Sequence, residues 1–292
     1  MAFQEIDTET DHGTYKGDPA KTAFEKVNEN FRELYPVLSG YSGKNMLLNC
    51  GAPIINQRAF SGGALAANTY GYDRWKAGAG GCNVTINAAT GLFTHASGPL
   101  QQVVELPLLA WGQPLTISVE NPSSAISVSV GGSTGTIPAG TGRRGVSLTP
   151  SGSGNMVVQL TASGATYSRP QLERGSVATA FDARPPALEL ALCQSFGELQ
   201  EGMEYPAAAF AVNDITTYAA FRVRKRATPS VAIRANGSWV GNGAVGTITT
   251  LVTGNITPNG FRFDATAFTG SISAGLAYVI RSPIFFIDAE IY

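Results

Sequence analysis

The stretch LTISVENPSSAISVSV, residues 115–130, alternates, turns and alternates again. Leu115, Ile117 and Val119 are separated by polar residues, Glu120-Asn121-Pro122-Ser123 supplies turn chemistry, and Ile126, Val128 and Val130 repeat the pattern. Successive side chains of a strand point to opposite faces, so each run has one apolar and one polar face. Val146 with Leu148 and Val158 with Leu160 continue the period, bounded by Gly131-Gly132-Ser133 and by Pro150-Ser151-Gly152-Ser153-Gly154. Short strands at this spacing predict a mainly β fold, an antiparallel β-sandwich over residues 44–185 that ends at Asp182-Ala183-Arg184-Pro185-Pro186.

Working outward, ALELALC (187–193) predicts one or two helical turns bridging to a second β-rich domain, residues 186–292. Strands are expected there at 218–223, 230–233, 246–252, 260–263 and 276–287. The apolar ending SPIFFIDAEIY predicts burial in a final strand, within one chain or between subunits.

Residues 1–43 differ in kind. They hold eight acids and four bases, against 13 and 16 in the remainder. Phe24, Val27, Phe31, Leu34 and Leu38 recur at spacings of three and four, the seam of a coiled coil. Asp18 as cap, Pro19 at the first position and Pro36 in the last turn predict a helix over 19–35. Two heptads do not hold together alone in water. The stripe therefore packs either on the chain's own β body or on copies of itself around an axis, and the second is the expectation, with the run Ser39-Gly40-Tyr41-Ser42-Gly43 as a flexible joint.

Composition narrows the chemistry. The 292 residues carry 34 glycines, 14 % charged residues and a net charge of −1. Such a chain has no basic field for nucleic acid or anionic membrane. No apolar run approaches the roughly 20 residues of a membrane span, and the polar start has no signal-peptide pattern. His12 and His95 are the only histidines, and Cys50, Cys82 and Cys193 fall in no ligand spacing, so neither metal nor other cofactor is expected. The cysteines are expected reduced and structural.

Motifs were weighed against simpler readings. Gly140-x-Gly142-x-x-Gly145 precedes a strand rather than a helix, so a hairpin turn explains it better than dinucleotide binding. Gly131-x-Ser133-x-Gly135 has no histidine following it, which disqualifies a nucleophile elbow. Any two of Asp73, Glu105, Glu120, Glu173, Asp182 and Glu189 meet the residue-type requirement for glycoside cleavage, but scattered acids are ordinarily surface or ion-paired groups, and no enzyme activity is expected. Arg222-Val223-Arg224-Lys225-Arg226 reads as a strand, either meeting phosphates of an acidic glycan or guarding an edge with charge. Thr69-Tyr70-Gly71-Tyr72-Asp73-Arg74-Trp75 reads as a sugar grip or as core. Trp239 lies in Ala235-Asn236-Gly237-Ser238-Trp239-Val240-Gly241-Asn242-Gly243, which is too rich in Gly and Asn for a core strand. Such an aromatic contacts a partner or tucks under its own loop; in the first case Trp239 and Asn242 form a glycan-stacking and hydrogen-bonding pair.

Several of these segments carry a family resemblance. AKTAFEKVNENF (20–31) resembles a segment near the start of many bacteriophage tail and fibre proteins. NMLLNCGAPIINQR (45–58), NTYGYDRW (68–75), QLERGSVATAFDARP (171–185) and ALELALC are similar to the carbohydrate-binding-module-like jelly roll of phage tail fibres. FRVRKRATPSVAI (221–233) and FFIDAEIY (285–292) resemble the β-rich tip that follows it. The resemblance implies a non-enzymatic, homotrimeric receptor-binding subunit of the virion, attached through residues 1–43 to other tail or capsid proteins and binding a host surface glycan through its β domains. It also implies that Tyr72-Asp73-Arg74-Trp75 is framework, and that Arg226-Ala227-Thr228-Pro229 ends a strand. The sequence departs from the family's usual "NG-F" at Asn49-Cys50-Gly51-Ala52. A virion decoration or tail-joining protein is the alternative function, and a polysaccharide depolymerase, lacking long β-helical repeats here, a more distant one.

Overall fold

The computed structural model describes residues 6–38 and 45–292, with residues 31–38 described by their backbone alone. The fold is mainly β. Helix α1, Ala20–Leu38, continues through Pro36, which forfeits one backbone hydrogen bond only two residues before the helix ends. Asp18 does not cap it: its carboxylate accepts from Lys26 Nζ at 2.6 Å and from the Asp7 backbone N–H at 2.9 Å. The expected joint at 39–43 lies outside the described residues.

The first β body contains β1 Gly63–Leu65, β2 Lys76–Ala77, β3 Cys82–Ile86, β4 Leu92–Val104, β5 Leu115–Glu120, β6 Ile126–Val130, β7 Ser133–Ile137, β8 Arg143–Leu148 and β9 Met156–Arg174. All pairings are antiparallel. The long strands β4 and β9 run side by side and serve two layers. The first part of β9 pairs with β6, which pairs with β7, while its last part pairs with β5, which pairs with β8. Both layers give their apolar face to one core, in which Val128, Val130, Val158 and Leu160 meet Ile117, Val119, Phe93, Tyr167 and Trp75. This is the β-sandwich that the alternation implies.

Helix α2, Pro186–Gln194, leads to the second body: β10 Gly197–Gln200, β11 Glu204–Ala211, β12 Asp214–Ala220, β13 Ser230–Ala235, β14 Ser238–Gly241, β15 Ala244–Thr257, β16 Gly260–Phe268, β17 Ala277–Arg281 and β18 Ile284–Asp288. Six of these close into a barrel in the order β11-β12-β16-β15-β14-β17, and β10-β18-β13 form a small sheet. Their shared core holds Phe261, Phe263, Phe285, Ile280 and Trp239. The single strand expected at 276–287 is two strands in different sheets. Ser282, with φ of 53°, and Pro283 divide them.

The basic run forms no strand, because β12 stops at Ala220; Lys225 is buried within the second body, and Arg226 reaches across to the sandwich. Lys225 Nζ is fully buried and donates to Glu198 Oε2 at 2.6 Å and to the Gln194 carbonyl at 2.6 Å. Arg226 grips Glu105 of the sandwich through Nε and Nη2, at 2.9 and 2.7 Å. Neither a phosphate contact nor a guarded edge describes these two residues.

The chain's end joins the same clasp. Arg74 Nη1 donates to Glu290 Oε2, Arg74 Nη2 donates to the Val103 carbonyl at 2.5 Å, and the guanidinium lies 3.4 Å from the Phe196 ring centroid. Arg58 pairs with Asp288 at 3.0 Å, and Tyr70 Oη donates to the Ile291 carbonyl at 2.6 Å. The apolar C-terminal run is therefore buried within one chain: Phe285 and Ile287 enter the second body's core, and residues 288–291 are held by the sandwich. Tyr72, Asp73, Arg74 and Trp75 are all buried, which makes this segment core and junction rather than an open sugar grip.

Candidate functional site

Trp239 was expected on a loop with an open face; the structure corrects this. It sits in β14 with 0 % exposure and donates its indole N–H to the Thr269 carbonyl at 3.1 Å. Tyr278 and Phe268 pack edge-on against it, with centroids at 5.5 and 5.9 Å. The Gly-rich surroundings that looked like a loop are what admit the indole. A Cβ on Gly246 would overlap Trp239 Nε1, and one on Gly270 would stand 2.9 Å from Trp239 Cζ2. Asn242 is exposed with φ of 51° in the Asn242-Gly243 turn that joins β14 to β15, the usual chemistry of a two-residue hairpin. The two residues do not combine into a stacking site, because no face of the indole reaches solvent.

The α1 seam is only partly described. Phe24 is 68 % exposed and Val27 half-buried, while the side chains of Phe31, Leu34 and Leu38 lie outside the described residues.

The carboxylates considered for catalysis are each engaged. Asp73 accepts from Gln57 N and Nε2, Glu120 from Arg143 and Arg169, and Glu173 from Thr179 and Gln171. Glu105 holds Arg226, Glu189 holds Arg184, and Asp182 accepts from the Asn45 N–H at 3.3 Å. His95 is buried between Tyr167 Oη and the Gly98 carbonyl, and burial lowers its pKa. The three cysteines are free and buried, and burial raises the Cys82 thiol to about 11, so none is a nucleophile at neutral pH. Among the described residues no group of three or more His, Cys, Asp or Glu side chains gathers as a metal ion requires, and no helix is long and apolar enough to cross a membrane.

An open site lies elsewhere on the barrel. A groove of about 780 Å³ runs over the outer face of β11, β12 and β16, lined by Pro206, Phe210, Thr216, Tyr218, Asn255 and Arg262. Ile215 and Ala219 point inward from β12, so Thr216 and Tyr218 fall on the outer face. Register then sets Tyr218 opposite Arg262, and Thr216 between Ala208 and Asp264. Tyr218 is 52 % exposed and Phe210 74 %. Arg262 Nη2 bonds Asp264 Oδ2 at 3.1 Å, which orients the guanidinium beside the tyrosine. Asn255, with φ of 48° at an irregularity in the β15–β16 pairing, completes the wall.

The arrangement offers two aromatic faces with a guanidinium and an amide at the rim. A pyranose presents an apolar C–H face and a hydroxyl edge, and this groove matches both. Sequence reading missed it, although period two in ITTYAA (215–220) already sets a large aromatic on the side opposite Ile215 and Ala219.

No family model matches the chain, and no curated protein matches it. Among solved structures, it is similar to wild-type discoidin II from Dictyostelium discoideum, at 13 % identity over 82 % of this chain and 92 % of that one, with a TM-score of 0.19. It is also similar to a structure of the M60 catalytic domain with the CBM51-1 and CBM51-2 domains from Clostridium perfringens ZmpB. There the identity is 9 %, over 77 % of this chain and 35 % of that one, and the TM-score is 0.22. At these scores neither likeness carries a statement about this protein's function, which rests on its own geometry.

Proposed function

We propose that this protein is a non-enzymatic receptor-binding subunit of a bacteriophage tail fibre, which attaches to host surface glycans through the outer groove of its barrel. The observation that carries the glycan contact is the pairing of exposed Tyr218 and Phe210 with Arg262 and Asn255 in one open groove. The fibre role rests on the resemblance of residues 20–31, 45–58 and 171–185 to tail proteins. In this reading α1 joins three copies through its apolar stripe, in which Phe24 is exposed, and residues 1–43 dock on the virion. One such sugar contact is weak, and several on one particle raise retention by about 10²–10⁴ through effective concentration.

Tyr218→Ala tests the site. It removes a half-exposed ring from a strand surface, so the melting curve stays unchanged. Glycan affinity per site is expected to fall about tenfold, about 1.4 kcal/mol. Unchanged binding of purified protein to host cells, with the fold intact, would sink the groove as receptor site. Host polysaccharide incubated with the protein should keep its chain length; shortening would overturn the non-enzymatic reading.

A second reading has its own observation. Phe210, Val212, Val245 and Val252 are exposed apolar side chains of the barrel strands and their turns, which suits a contact between virion proteins and the alternative role in decoration or tail joining. Protein that coats purified virus particles and ignores host cells would favour it.

A further inference from the structure

A second cleft lies on the sandwich, away from the barrel groove. It has a volume of about 510 Å³, and among the described residues its charged lining groups are Glu120, Arg143 and Arg169. These residues come from three neighbouring strands. Glu120 ends β5, Arg143 begins β8 directly opposite it, and Arg169 lies in β9 beside Ser168, the register partner of Glu120. Glu120 accepts from Arg143 Nη1 at 3.5 Å and from Arg169 Nη1 at 3.0 Å. Two guanidinium groups thus share one carboxylate, and the lining carries one positive charge in excess. Arg143 is mostly buried: its Nη1 also donates to the Arg169 carbonyl at 3.1 Å, and its Nε and Nη2 are enclosed without a partner, so the exposed cation of the cleft is Arg169. Glu173, behind the wall, has its oxygens taken by Thr179 N, Thr179 Oγ1 and Gln171 Nε2.

Two local features show that the chain accepts a cost to shape this place. The β5–β9 pairing breaks register between Ser118 and Glu120, and Arg169 holds φ of 51°. A non-glycine residue in that region costs of order 1–3 kcal/mol, and such strain and such bulges gather at binding sites. Beside these charges and Thr179, the wall carries apolar side chains. The Phe181 ring centre lies 5.8 Å from each guanidinium carbon, and Ala52, Ala178 and Ala183 extend the surface.

We infer that this cleft binds a sugar carrying a carboxylate, with the acid received by the exposed guanidinium of Arg169, Arg143 adding positive charge from behind it, and the ring's C–H face laid on Phe181. The guanidinium fork matches a carboxylate in two parallel hydrogen bonds, and a half-buried aromatic wall favours a ring over a bare ion. The inference goes beyond the barrel groove and does not depend on it.

The test uses the full chain and a galacturonate tetrasaccharide, with the same oligosaccharide reduced at its carboxyl groups as control. Calorimetry at 150 mM salt should show the acid form binding about tenfold tighter than the reduced form, the loss expected when one charge-assisted contact is removed. Arg169→Ala, at a side chain 53 % exposed, should fold normally and abolish that preference, while Arg169→Lys retains part of it. Tyr218→Ala should leave the preference intact, which separates this site from the groove. Equal binding of acid and reduced forms, or an acid preference that survives Arg169→Ala, overturns the inference. So does acetate that displaces the tetrasaccharide at equal carboxylate concentration, since the ring would then contribute nothing.

Discussion

The sandwich and the barrel are both antiparallel β bodies, yet they solve the packing problem differently. In the sandwich, branched aliphatic residues alternate with Ser and Thr, and Leu115, Ile117 and Val119 are all fully buried. In the barrel, a few large aromatics fill a closed interior, and glycines stand where the rings need room. Phe261, Phe263, Phe285 and Trp239 are fully buried, with Gly246 and Gly270 against the indole. A sandwich distributes its core over many medium side chains, so its pattern is plain in the sequence. A small barrel concentrates its core in a few rings, so losing one of them costs it more.

The largest effect should come from Trp239→Ala, which removes the main side chain of one end of the barrel. The expected cost is about 3–5 kcal/mol, against about 0.5–1.5 kcal/mol for Ile117→Val in the sandwich. Urea unfolding followed by circular dichroism measures both. A Trp239→Ala protein as stable as the parent would break the contrast and reopen the case for an exposed, stacking tryptophan.

Arg74→Met probes what couples the two bodies. Glu290 is buried and would lose the nearer of its two cations while keeping Arg58 Nη2 at 3.7 Å, so the loss should stay below the roughly 3–5 kcal/mol of a fully stranded charge. Limited proteolysis should then cut between α2 and β11 before either body unfolds. Replacing Arg74 and Glu290 together by Met and Leu should recover much of the loss; no recovery would show that Arg74 acts through Phe196 and Val103 instead.

The smallest effect separates the bodies by pH. His95, in β4, is the only histidine in either body, and burial lowers its pKa below the usual 6.5. The unfolded chain then binds a proton that the folded sandwich refuses. Stability is full above pH 6.5 and declines as pH falls from there through the lowered folded value. His95→Gln should flatten that decline in the sandwich. Barrel stability, followed by Trp239 fluorescence, should not respond to the substitution; a response there would mean that the bodies unfold as one unit.

The strands of the sandwich were legible because apolar residues recur with period two, although in β5 the alternating Thr116 and Ser118 are themselves buried rather than wet. ITTYAA carries the same mark, and the outer position of Tyr218 follows from it. That Phe210, Asn255 and Arg262 join Tyr218 was not legible, because β11, β15 and β16 meet β12 only through barrel closure. Trp239 was misread because glycine serves both flexible turns and close packing around a ring, and local sequence does not separate the two uses. The basic run 222–226 was misread for a related reason. Charge looks solvated in one dimension, whereas Lys225 meets Glu198 only once the second body folds, and Arg226 meets Glu105 only where the two bodies touch.

By itself, the sequence determined the strand periods, the turns and the helical stripe of α1, all of which depend on neighbours within a few residues. Tertiary structure alone decided which aromatic is core and which is surface, which cations bind the bodies together, and where an open groove and a charged cleft remain. Those outcomes depend on residues far apart in the chain, whose meeting is fixed by strand register and sheet closure rather than by local preference.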